Sequence, residues 1–303
     1  RQFHLLSALA ARYEKPIHVL LRLTSGNQFG LEEQEIVQLV RRRADHPFVC
    51  IRGLQFFSGT QKASLRRLRR ELETLDAFAL SLQNELGFTV QELEFGPGFP
   101  VNYFDASAFD EAAFLADFSA LLSGLRCGAR VTLELGRSIA ASCGTYLTRV
   151  VDVKRNKNQN YAIVDGGMHQ LVYYGQSMAM QQPRLRLHPP RDGKPEPWNL
   201  CGSLCTVNDI LVKQLPVPGL KCGDVFAFEN TGAYCMTEGI SLFLSRARPR
   251  VVLLLPDGAP LLVREALATD RLNTPDYERK NCYGKADRNF TGPAARRGLR
   301  LLP

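Results

Sequence analysis

The sequence predicts an α/β domain followed by an all-β domain, and two observations carry this prediction. Up to about residue 140, apolar runs typical of buried strands alternate with amphipathic helical stretches, which is the pattern of βα units around a parallel sheet. Beyond that point, short runs rich in β-branched and aromatic residues are separated by Gly, Asp-Gly and Pro turns. With 303 residues and 45% hydrophobic content, the chain is long enough for two packed domains.

In the first domain, residues 1–140, the pattern predicts four strands separated by helices. The strands are expected at 17–23, 47–57, 90–95 and 129–135. The helices are expected at 1–13, 31–44, 62–86 and 107–124. Because a helix separates each strand from the next, right-handed crossovers should make the strands parallel. We expect these strands to be buried on both faces, as is usual in a parallel sheet.

The second domain, residues 141–268, is predicted from β-rich runs that end in turn residues. These runs are "GTYLTRVVDVKRN" (144–156), "QNYAIVDGGMHQLVYY" (159–174), "NDILVKQL" (208–215), "DVFAFEN" (224–230) and "RVVLLLPDG" (250–258). The Pro-rich stretch 184–199 is expected to be a surface connection. Residues 269–303 show no periodic pattern, and we expect an irregular basic tail there.

The charge and the cysteines limit the classes of function. The formal net charge is +8, and the segment from Arg264 to the end holds nine basic against five acidic residues. No nucleic-acid motif or aromatic interleaving accompanies this charge, so nucleic-acid binding is not expected. Eight scattered cysteines favour free thiols in a reducing compartment. No apolar run is long enough to span a membrane, and we expect a cytoplasmic protein with no membrane contact.

Glycines follow the third predicted strand in "LEFGPGFPVNY" (93–103). At the carboxyl end of a parallel strand, Gly96 and Gly98 would let backbone N–H groups approach an anion such as a phosphate. A tight turn without a ligand explains the same residues equally well. Pro97 has no N–H, so such a cup would lack one donor.

Two other strand exits carry polar or charged side chains. "GLQFFSGTQ" (53–61) ends in hydroxyls that include Thr60. "LELGRSIAA" (133–141) places Glu134 and Arg137 three residues apart, either as a surface ion pair or as two groups that face one ligand. Three such exits at one edge of a sheet favour a ligand site more strongly than any one of them alone.

The stretch "NLCGSLCTVND" (199–209) places Cys201 and Cys205 four residues apart, which raises three possibilities. A zinc site needs about four ligands, and the five histidines show no pairing with these cysteines, so no metal site is expected. A redox pair normally has two intervening residues, whereas this pair has three. A single reactive thiol and a thiol that only fills the core both remain.

Eight stretches taken together resemble a known family. The three strand exits are followed in order by "VDGG" (164–167), "CGSLCTVND" (201–209), "GD" (223–224), "TGAY" (231–234) and "FLSRARP" (243–249). This series resembles the fold-type III pyridoxal-phosphate decarboxylases, the family of diaminopimelate and ornithine decarboxylases, over residues 1–265. The resemblance implies a TIM-type (β/α) barrel, here only partial, followed by an all-β domain, with pyridoxal 5'-phosphate as cofactor.

The resemblance also implies roles for single residues. The family's glycine-rich phosphate turn corresponds to Gly96 and Gly98. The hydroxyl and the tyrosine of the phosphate pocket correspond to Thr60 and Tyr234, and a nearby arginine corresponds to Arg137.

Three further positions concern the cofactor ring and the reaction. The glutamate that pairs with the ring nitrogen corresponds to Glu134, which would keep that nitrogen protonated. The residue stacked on the ring corresponds to Phe57, where the family usually has histidine. The cysteine that reaches into the neighbouring subunit's site corresponds to Cys205, which we expect to act as a proton donor, and Cys201 is then structural.

The largest departure from the family is a missing lysine. The family binds its cofactor covalently through a lysine near the amino terminus, and none of the nine lysines of this chain has that context. Four strands are predicted before the β domain, where the family's barrel has eight. We therefore expect the first half of the barrel to be absent, and a half barrel with open edges to be neither a stable monomer nor a competent enzyme by itself.

The cysteine motif bears on the substrate. Diaminopimelate and ornithine decarboxylases have an acidic residue after the cysteine, and this chain has Thr206, which cannot pair with a distal ammonium. The resemblance therefore favours a conjugated amino acid, such as a carrier-bound one, over a free diamine. We expect amino-acid decarboxylation by a homodimer with shared active sites. The alternatives are a racemase of the same barrel type and an inactive homologue that acts as a regulator or binding protein.

Overall fold

The structure is a computed structural model, and it describes residues 1–104, 109–176 and 178–274. It divides into two units, Arg1–Ile240 and Ser241–Pro303. The predicted domain boundaries after residues 140 and 268 stay predictions. Residues 107 and 108 of the fourth predicted helix and residues 275–303 of the predicted tail lie outside the described residues.

The first unit begins with a four-stranded sheet in the order β1-β2-β3-β4. Its strands are β1 (Ile17–Leu23), β2 (Val49–Phe57), β3 (Glu92–Gly96) and β4 (Arg130–Leu133). Every neighbouring pair is parallel, which confirms the prediction from the spacing of strands and helices. The carboxyl ends of all four strands therefore meet at one edge of the sheet.

Four helices accompany this sheet, close to their predicted positions. They are α1 (Gln2–Tyr13), α2 (Glu33–Arg41), α3 (Leu65–Leu86) and α4 (Glu111–Ser123). The longest, α3, begins where the Ser64 hydroxyl accepts a hydrogen bond from the Arg67 N–H, and it ends at Gly87 in the left-handed conformation, φ 58°. Leu68, Leu72 and Leu75 recur at helical spacing and are buried, which explains why this arginine-rich segment folds as a helix.

The two faces of the parallel sheet differ, which corrects the expectation of strands buried on both faces. One face packs on the helices, where Leu54, Leu93 and Phe95 are fully or almost fully buried. On the other face, Gln55 of β2 lies in register with Glu94 of β3. Strands carrying acidic and amide side chains at alternate positions cannot bury both faces in an apolar core, because those groups require polar partners.

The second sheet of this unit has six strands in the order β7-β10-β5-β6-β8-β9. They are β5 (Tyr146–Asn156), β6 (Gln159–Val164), β7 (Leu185–His188), β8 (Glu196–Cys201), β9 (Ile210–Val217) and β10 (Val225–Phe228). Between β5 and β6, Lys157 and Asn158 both have positive φ, 44° and 61°, which makes the tight turn of a hairpin. A separate core under this sheet includes Leu200, Phe226 and Phe228, each fully buried.

The prediction of a surface connection over 184–199 is wrong at both ends. Its first part forms β7, which pairs with β10, and its last part enters β8, where Trp198 is buried. Prolines 189 and 190 limit the irregular part to the middle of the stretch, because proline lacks the N–H that a sheet interior needs. Cross-strand pairing with distant segments therefore overrode the local composition.

The second unit contains a hairpin of β11 (Val251–Leu254) and β12 (Pro260–Arg264). Its turn includes Asp257 and Gly258, as the "PDG" motif predicts. A one-turn helix, α6 (Asp270–Asn273), lies within the segment expected to be irregular. Among the helices of the described residues, none has the length and apolar character required to cross a membrane.

Candidate functional site

Loops after β2, β3 and β4 meet at the carboxyl edge of the parallel sheet and border a cleft of about 240 Å³. A fourth segment, from the loop after β10, completes its wall. Six of the residues selected from the sequence line this cleft: Phe57, Thr60, Gly98, Glu134, Arg137 and Tyr234. The structure thus brings together side chains that are up to 177 positions apart in the sequence, from Phe57 to Tyr234.

The floor of the cleft is formed where two glycines approach each other. Gly98 has φ 59°, a left-handed conformation, and a Cβ at this position would overlap the carbonyl oxygen of Gly59. The Gly98 carbonyl oxygen accepts a hydrogen bond of 2.9 Å from the Lys62 N–H. The loop after β2 and the turn after β3 therefore touch backbone to backbone, and this contact brings Thr60 beside Gly98.

Arg137 is the charged centre of one wall, and it is only 8% exposed. It begins a short helix, α5 (Arg137–Ala140), directly after the strand exit. Its guanidinium carbon lies 4.7 Å from the ring centroid of Tyr174 and 4.8 Å from that of Tyr234. Two tyrosine rings so close to a guanidinium attract its positive charge through their π faces and hold it in place.

Hydrogen bonds fix the orientation of this guanidinium. Arg137 Nη1 donates to the Tyr103 hydroxyl at 3.0 Å, and Nη2 donates to Glu238 Oε1 at 3.3 Å. Burial tends to lower the pKa of Arg137, but the interactions with Tyr103 and Glu238 outweigh burial and raise it. Its Nε atom is buried and has no hydrogen-bond partner among the described residues, so one donor at this wall is not used by the protein.

Glu134, which also lines the cleft, is exposed and is held by an amide. Gln55 Nε2 donates to Glu134 Oε2 at 2.7 Å. Glu94 lies between them on β3, and its hydrogen bond to Glu134, burial and repulsion by Glu134 and Glu92 raise the pKa of Glu94 to about 7. Two carboxyl groups in hydrogen-bond contact cannot both be ionised at low cost, so this pair holds one proton up to nearly neutral pH.

The ring of Phe57 fills the space beside Gly96. A Cβ at Gly96 would lie 2.6 Å from Phe57 Cδ2, so the missing side chain of Gly96 leaves the space for the phenylalanine ring. Gly96 is buried and does not line the cleft, whereas Phe57 does. The two selected glycines of the "GPG" turn thus have different surroundings.

Cys205 does not line the cleft of its own chain, and it is exposed in the loop between β8 and β9. The buried Asp209 carboxylate organises this loop by accepting hydrogen bonds from the Leu204 N–H at 2.8 Å and the Met168 N–H at 2.7 Å. Ser203 N–H donates to the Gly166 carbonyl oxygen at 2.8 Å. The loop is therefore tied to the "VDGG" motif, and it presents Cys205 outward.

Among the described residues, neither cysteine of this loop belongs to a group of side chains arranged to hold a metal ion. Across the described ranges, no group of three or more His, Cys, Asp or Glu side chains is arranged to hold a metal ion. Burial raises the pKa of the Cys201 thiol, with a further contribution from Asp209, so Cys201 stays protonated at neutral pH.

Sequence reasoning missed several residues that complete the site. Gln55 and Glu94 could have been found, because each lies two positions before a selected residue of its strand, Phe57 or Gly96, and so shares its face. Tyr103, Tyr174 and Glu238 gave no such signal. They surround Arg137 only because distant loops fold back to it, and nothing in their local sequence indicates this.

The chain is similar in sequence to known pyridoxal-dependent decarboxylases. A sequence model described as "Pyridoxal-dependent decarboxylase, C-terminal sheet domain" matches residues 21–232. The L-glutamyl-[BtrI acyl-carrier protein] decarboxylase of Niallia circulans is 26% identical over 262 residues, which cover 82% of this chain and 60% of that protein. The diaminopimelate decarboxylase of Vibrio cholerae is 30% identical over 234 residues, which cover 77% of this chain and 54% of that protein.

A solved structure agrees with these sequence similarities. The crystal structure of diaminopimelate decarboxylase from Helicobacter pylori, complexed with L-lysine, matches with a TM-score of 0.75. The identity is 23%, and the match covers 88% of this chain and 68% of that one. The predicted fold class, a partial (β/α) barrel followed by an all-β domain, is confirmed. The chain spans between half and about three fifths of the length of the two curated relatives.

Proposed function

Because the chain belongs to the pyridoxal-dependent decarboxylase family, we propose that it forms part of an enzyme that removes CO2 from an amino acid with pyridoxal 5'-phosphate. One observation carries this proposal. Loops after three parallel strands and one loop of the mixed sheet form a single cleft that holds a glycine turn, a buried arginine and a carboxylate. A ligand with an anionic group at one end and a protonated nitrogen at the other would match these groups: the anion would meet the glycine turn and the arginine, and the nitrogen would meet the carboxylate.

The cleft suits a phosphate group at its glycine end. Because Gly98 has no side chain, the turn after β3 packs directly against the backbone of Gly59 and Thr60, and this places the Thr60 hydroxyl beside the turn. The unpaired buried Nε of Arg137 is a donor that an anion would satisfy. Thr60 and Tyr234 supply hydroxyl groups on the same wall, and we assign them, with Gly98 and Arg137, to the phosphate.

The cofactor ring is assigned to the side that holds Glu134 and Phe57. When bound, pyridoxal phosphate withdraws the electron pair that the departing CO2 leaves on the α-carbon. Glu134, as a carboxylate, would pair with the ring N–H and so keep the ring positively charged. Gln55 restrains this carboxylate by a hydrogen bond of 2.7 Å. Phe57, whose ring lies against Gly96, would stack on the ring face.

We assign proton donation at the α-carbon to Cys205 from a second copy of the chain. Cys205 is exposed and does not line the cleft of its own chain, so a partner subunit's cleft is the site that it can serve. Val207, in the same loop, is 88% exposed, and Met178 and Met180 are also largely exposed. Where exposed apolar side chains gather into a contiguous patch, they mark a surface that a partner covers.

The substrate that we propose is a conjugated amino acid. Thr206, next to Cys205, carries no charge, so it offers no partner to a distal ammonium group. The relative from Niallia circulans is named for a substrate on an acyl-carrier protein, which supports this class.

One observation favours a second candidate, an inactive homologue that binds the cofactor or a related anion. Among the described residues, no lysine lines the cleft. Lys62, in the loop after β2, is buried against other partners. A covalent link to the cofactor would need a lysine from elsewhere.

The test compares cofactor binding with catalysis. The purified chain, and any longer product of the same gene, are titrated with pyridoxal 5'-phosphate while the visible absorbance is recorded, and CO2 release is then measured with free and carrier-conjugated amino acids. Binding together with CO2 release supports the decarboxylase. Binding without CO2 release by the longer product favours the inactive homologue, and absence of binding to both products contradicts the proposal.

The predicted cytoplasmic location stays a prediction.

A further inference from the structure

Lys62 is a buried lysine directly behind the wall of the cleft, and the proposed reaction does not use it. Its side chain is 1% exposed. Its Nζ lies 2.7 Å from Glu71 Oε2 and 3.0 Å from the Ser58 hydroxyl. The same Nζ lies 3.4 Å from the Gly96 carbonyl oxygen. Three acceptors from three different segments therefore surround one ammonium group.

Burial of an ammonium group is costly, and these contacts are what offset that cost. Burial lowers the pKa of Lys62, whereas the hydrogen bond and the charge of Glu71 act in the opposite direction. Glu71 is also held from its other side, by the Ser58 hydroxyl at 2.5 Å and by Arg67 Nε at 3.2 Å. Removal of the lysine would leave Glu71 with Arg67, so the carboxylate would not lose all its partners.

The position of Lys62 connects the two backbone segments that form the floor of the cleft. Its N–H donates to the Gly98 carbonyl oxygen at 2.9 Å, and its Nζ reaches the Gly96 carbonyl oxygen. Ser58, which its Nζ also contacts, lies two residues before Thr60. Thr60 and Gly98 line the cleft, but Lys62 does not.

We propose that Lys62 is a positioning residue that fixes the loop after β2 against the glycine turn after β3, so that the phosphate end of the cleft is formed before a ligand arrives. This inference rests on the assignment of that end to a phosphate. Lys62 and Arg67 face a single carboxylate, Glu71, and this leaves one excess positive charge beneath the turn. That charge also favours an anion at the turn.

If Lys62 only stabilised the fold, its substitution would have a different effect on ligand affinities. Loss of overall stability would weaken the binding of any ligand of the cleft, with or without a phosphate. Loss of the positioned floor would weaken only ligands that carry the phosphate. Pyridoxal 5'-phosphate and pyridoxal differ by this group alone, so the ratio of their affinities reports on the phosphate end.

The experiment uses Lys62→Met, which keeps an unbranched side chain of similar size without the ammonium group, with the exposed Lys194→Met as a matched control. We expect Lys62→Met to weaken the binding of pyridoxal 5'-phosphate about tenfold and that of pyridoxal hardly at all, since hydrogen bonds of charged groups have this magnitude. Lys194→Met should change neither. In the ligand-free protein, the amide hydrogens of residues 59–62 and of Gly96 and Gly98 should exchange faster in Lys62→Met only.

Equal effects on both ligands, or unchanged exchange in these two segments, would overturn the inference. Should Lys62→Met fail to fold, Ser58→Ala removes one partner of the ammonium and keeps its ion pair. In Ser58→Ala, a smaller loss of affinity for pyridoxal 5'-phosphate than in Lys62→Met, with unchanged affinity for pyridoxal and faster amide exchange, supports the inference. Unchanged affinities and unchanged exchange overturn it. If the wild type binds neither ligand, the proposed function fails, while the exchange measurement still decides the role of Lys62.

Discussion

Gly98 lies so close to Gly59 that a side chain at position 98 would overlap the Gly59 carbonyl oxygen. This contact joins the exits of β2 and β3, and both segments contribute to the wall of the cleft. Backbone segments at this distance act as one surface, because neither can shift without moving the other. The geometry of the cleft at the end that we assign to a phosphate therefore depends on the absence of one Cβ.

We expect Gly98→Ala to lower stability by about 2 kcal/mol and to weaken the binding of pyridoxal 5'-phosphate, because the new methyl group displaces the Gly59 segment. Gly128→Ala is a matched control. Gly128 has a similar φ of 68°, against 59° at Gly98, and a Cβ there would meet nothing within 4 Å. Chemical denaturation and a ligand titration measure both effects. A Gly128→Ala variant as impaired as Gly98→Ala would show that backbone conformation alone is responsible.

A second prediction concerns the proton shared by Glu94 and Glu134. Contact with Glu134 raises the pKa of Glu94 to about 7, so the folded protein binds a proton that the unfolded chain releases near pH 4.5. The stabilising contribution is therefore complete below about pH 4.5 and is lost as the pH rises through about 7. Carbon-13 NMR of the glutamate carboxyl groups should resolve one late titration.

Two variants separate the members of this pair. In Glu94→Gln the late titration should disappear, and stability between these pH values should change less than in the wild type, because an amide can donate to Glu134 at any pH. In Glu134→Gln the pKa of Glu94 should fall toward its ordinary value, since the opposing charge is gone. A late titration that persists in both variants would assign it to another carboxyl group.

A third prediction concerns Asp76, a buried carboxylate of α3 that holds the loop after α4. It accepts hydrogen bonds from the N–H groups of Arg126 and Cys127 at 2.9 and 2.8 Å. Burial acts to raise the pKa of Asp76, but these backbone hydrogen bonds outweigh burial and lower it. Its contribution to stability is thus present above its ordinary pKa and is lost as the pH falls through the lowered value.

Asp76→Ala leaves the part-buried N–H of Arg126 and the buried N–H of Cys127 without this acceptor, and we expect a loss of about 2 kcal/mol in the free energy of unfolding. Asp76→Asn keeps one acceptor oxygen and should lose less. Urea denaturation at neutral pH measures both variants. Equal stabilities of the wild type and Asp76→Ala would mean that water replaces the carboxylate at this loop.

The last prediction concerns the exposed thiol in the loop between β8 and β9. If Cys205 donates the proton at the α-carbon, Cys205→Ala should lower turnover at least about tenfold and leave cofactor binding intact, in a preparation that is active. The control is Cys222→Ala, another exposed cysteine, which should keep full turnover. Turnover that is unchanged in Cys205→Ala would remove this thiol from the mechanism.

The sequence determined the elements of this protein where burial is periodic. The strand Ile17–Leu23 was predicted to the residue, and α3 within three residues, because apolar side chains at regular spacing have few other ways to leave water. Ordered motifs at the strand exits also indicated the residues that the cleft would contain. These signals depend only on residues that are close together in the sequence, so the sequence alone contains them.

Only the tertiary structure decided which charged groups meet. The buried Lys62 with Glu71, the Glu94 and Glu134 pair and the tyrosines around Arg137 each join separate segments, and the energy of such contacts depends on distances that the sequence does not contain. The same holds for β7 and β8, whose strands form because distant partners supply hydrogen bonds that the local composition alone does not predict. The burial of apolar residues can thus be predicted from their spacing in the sequence, whereas the charged contacts and the strand pairing are known only from the tertiary structure.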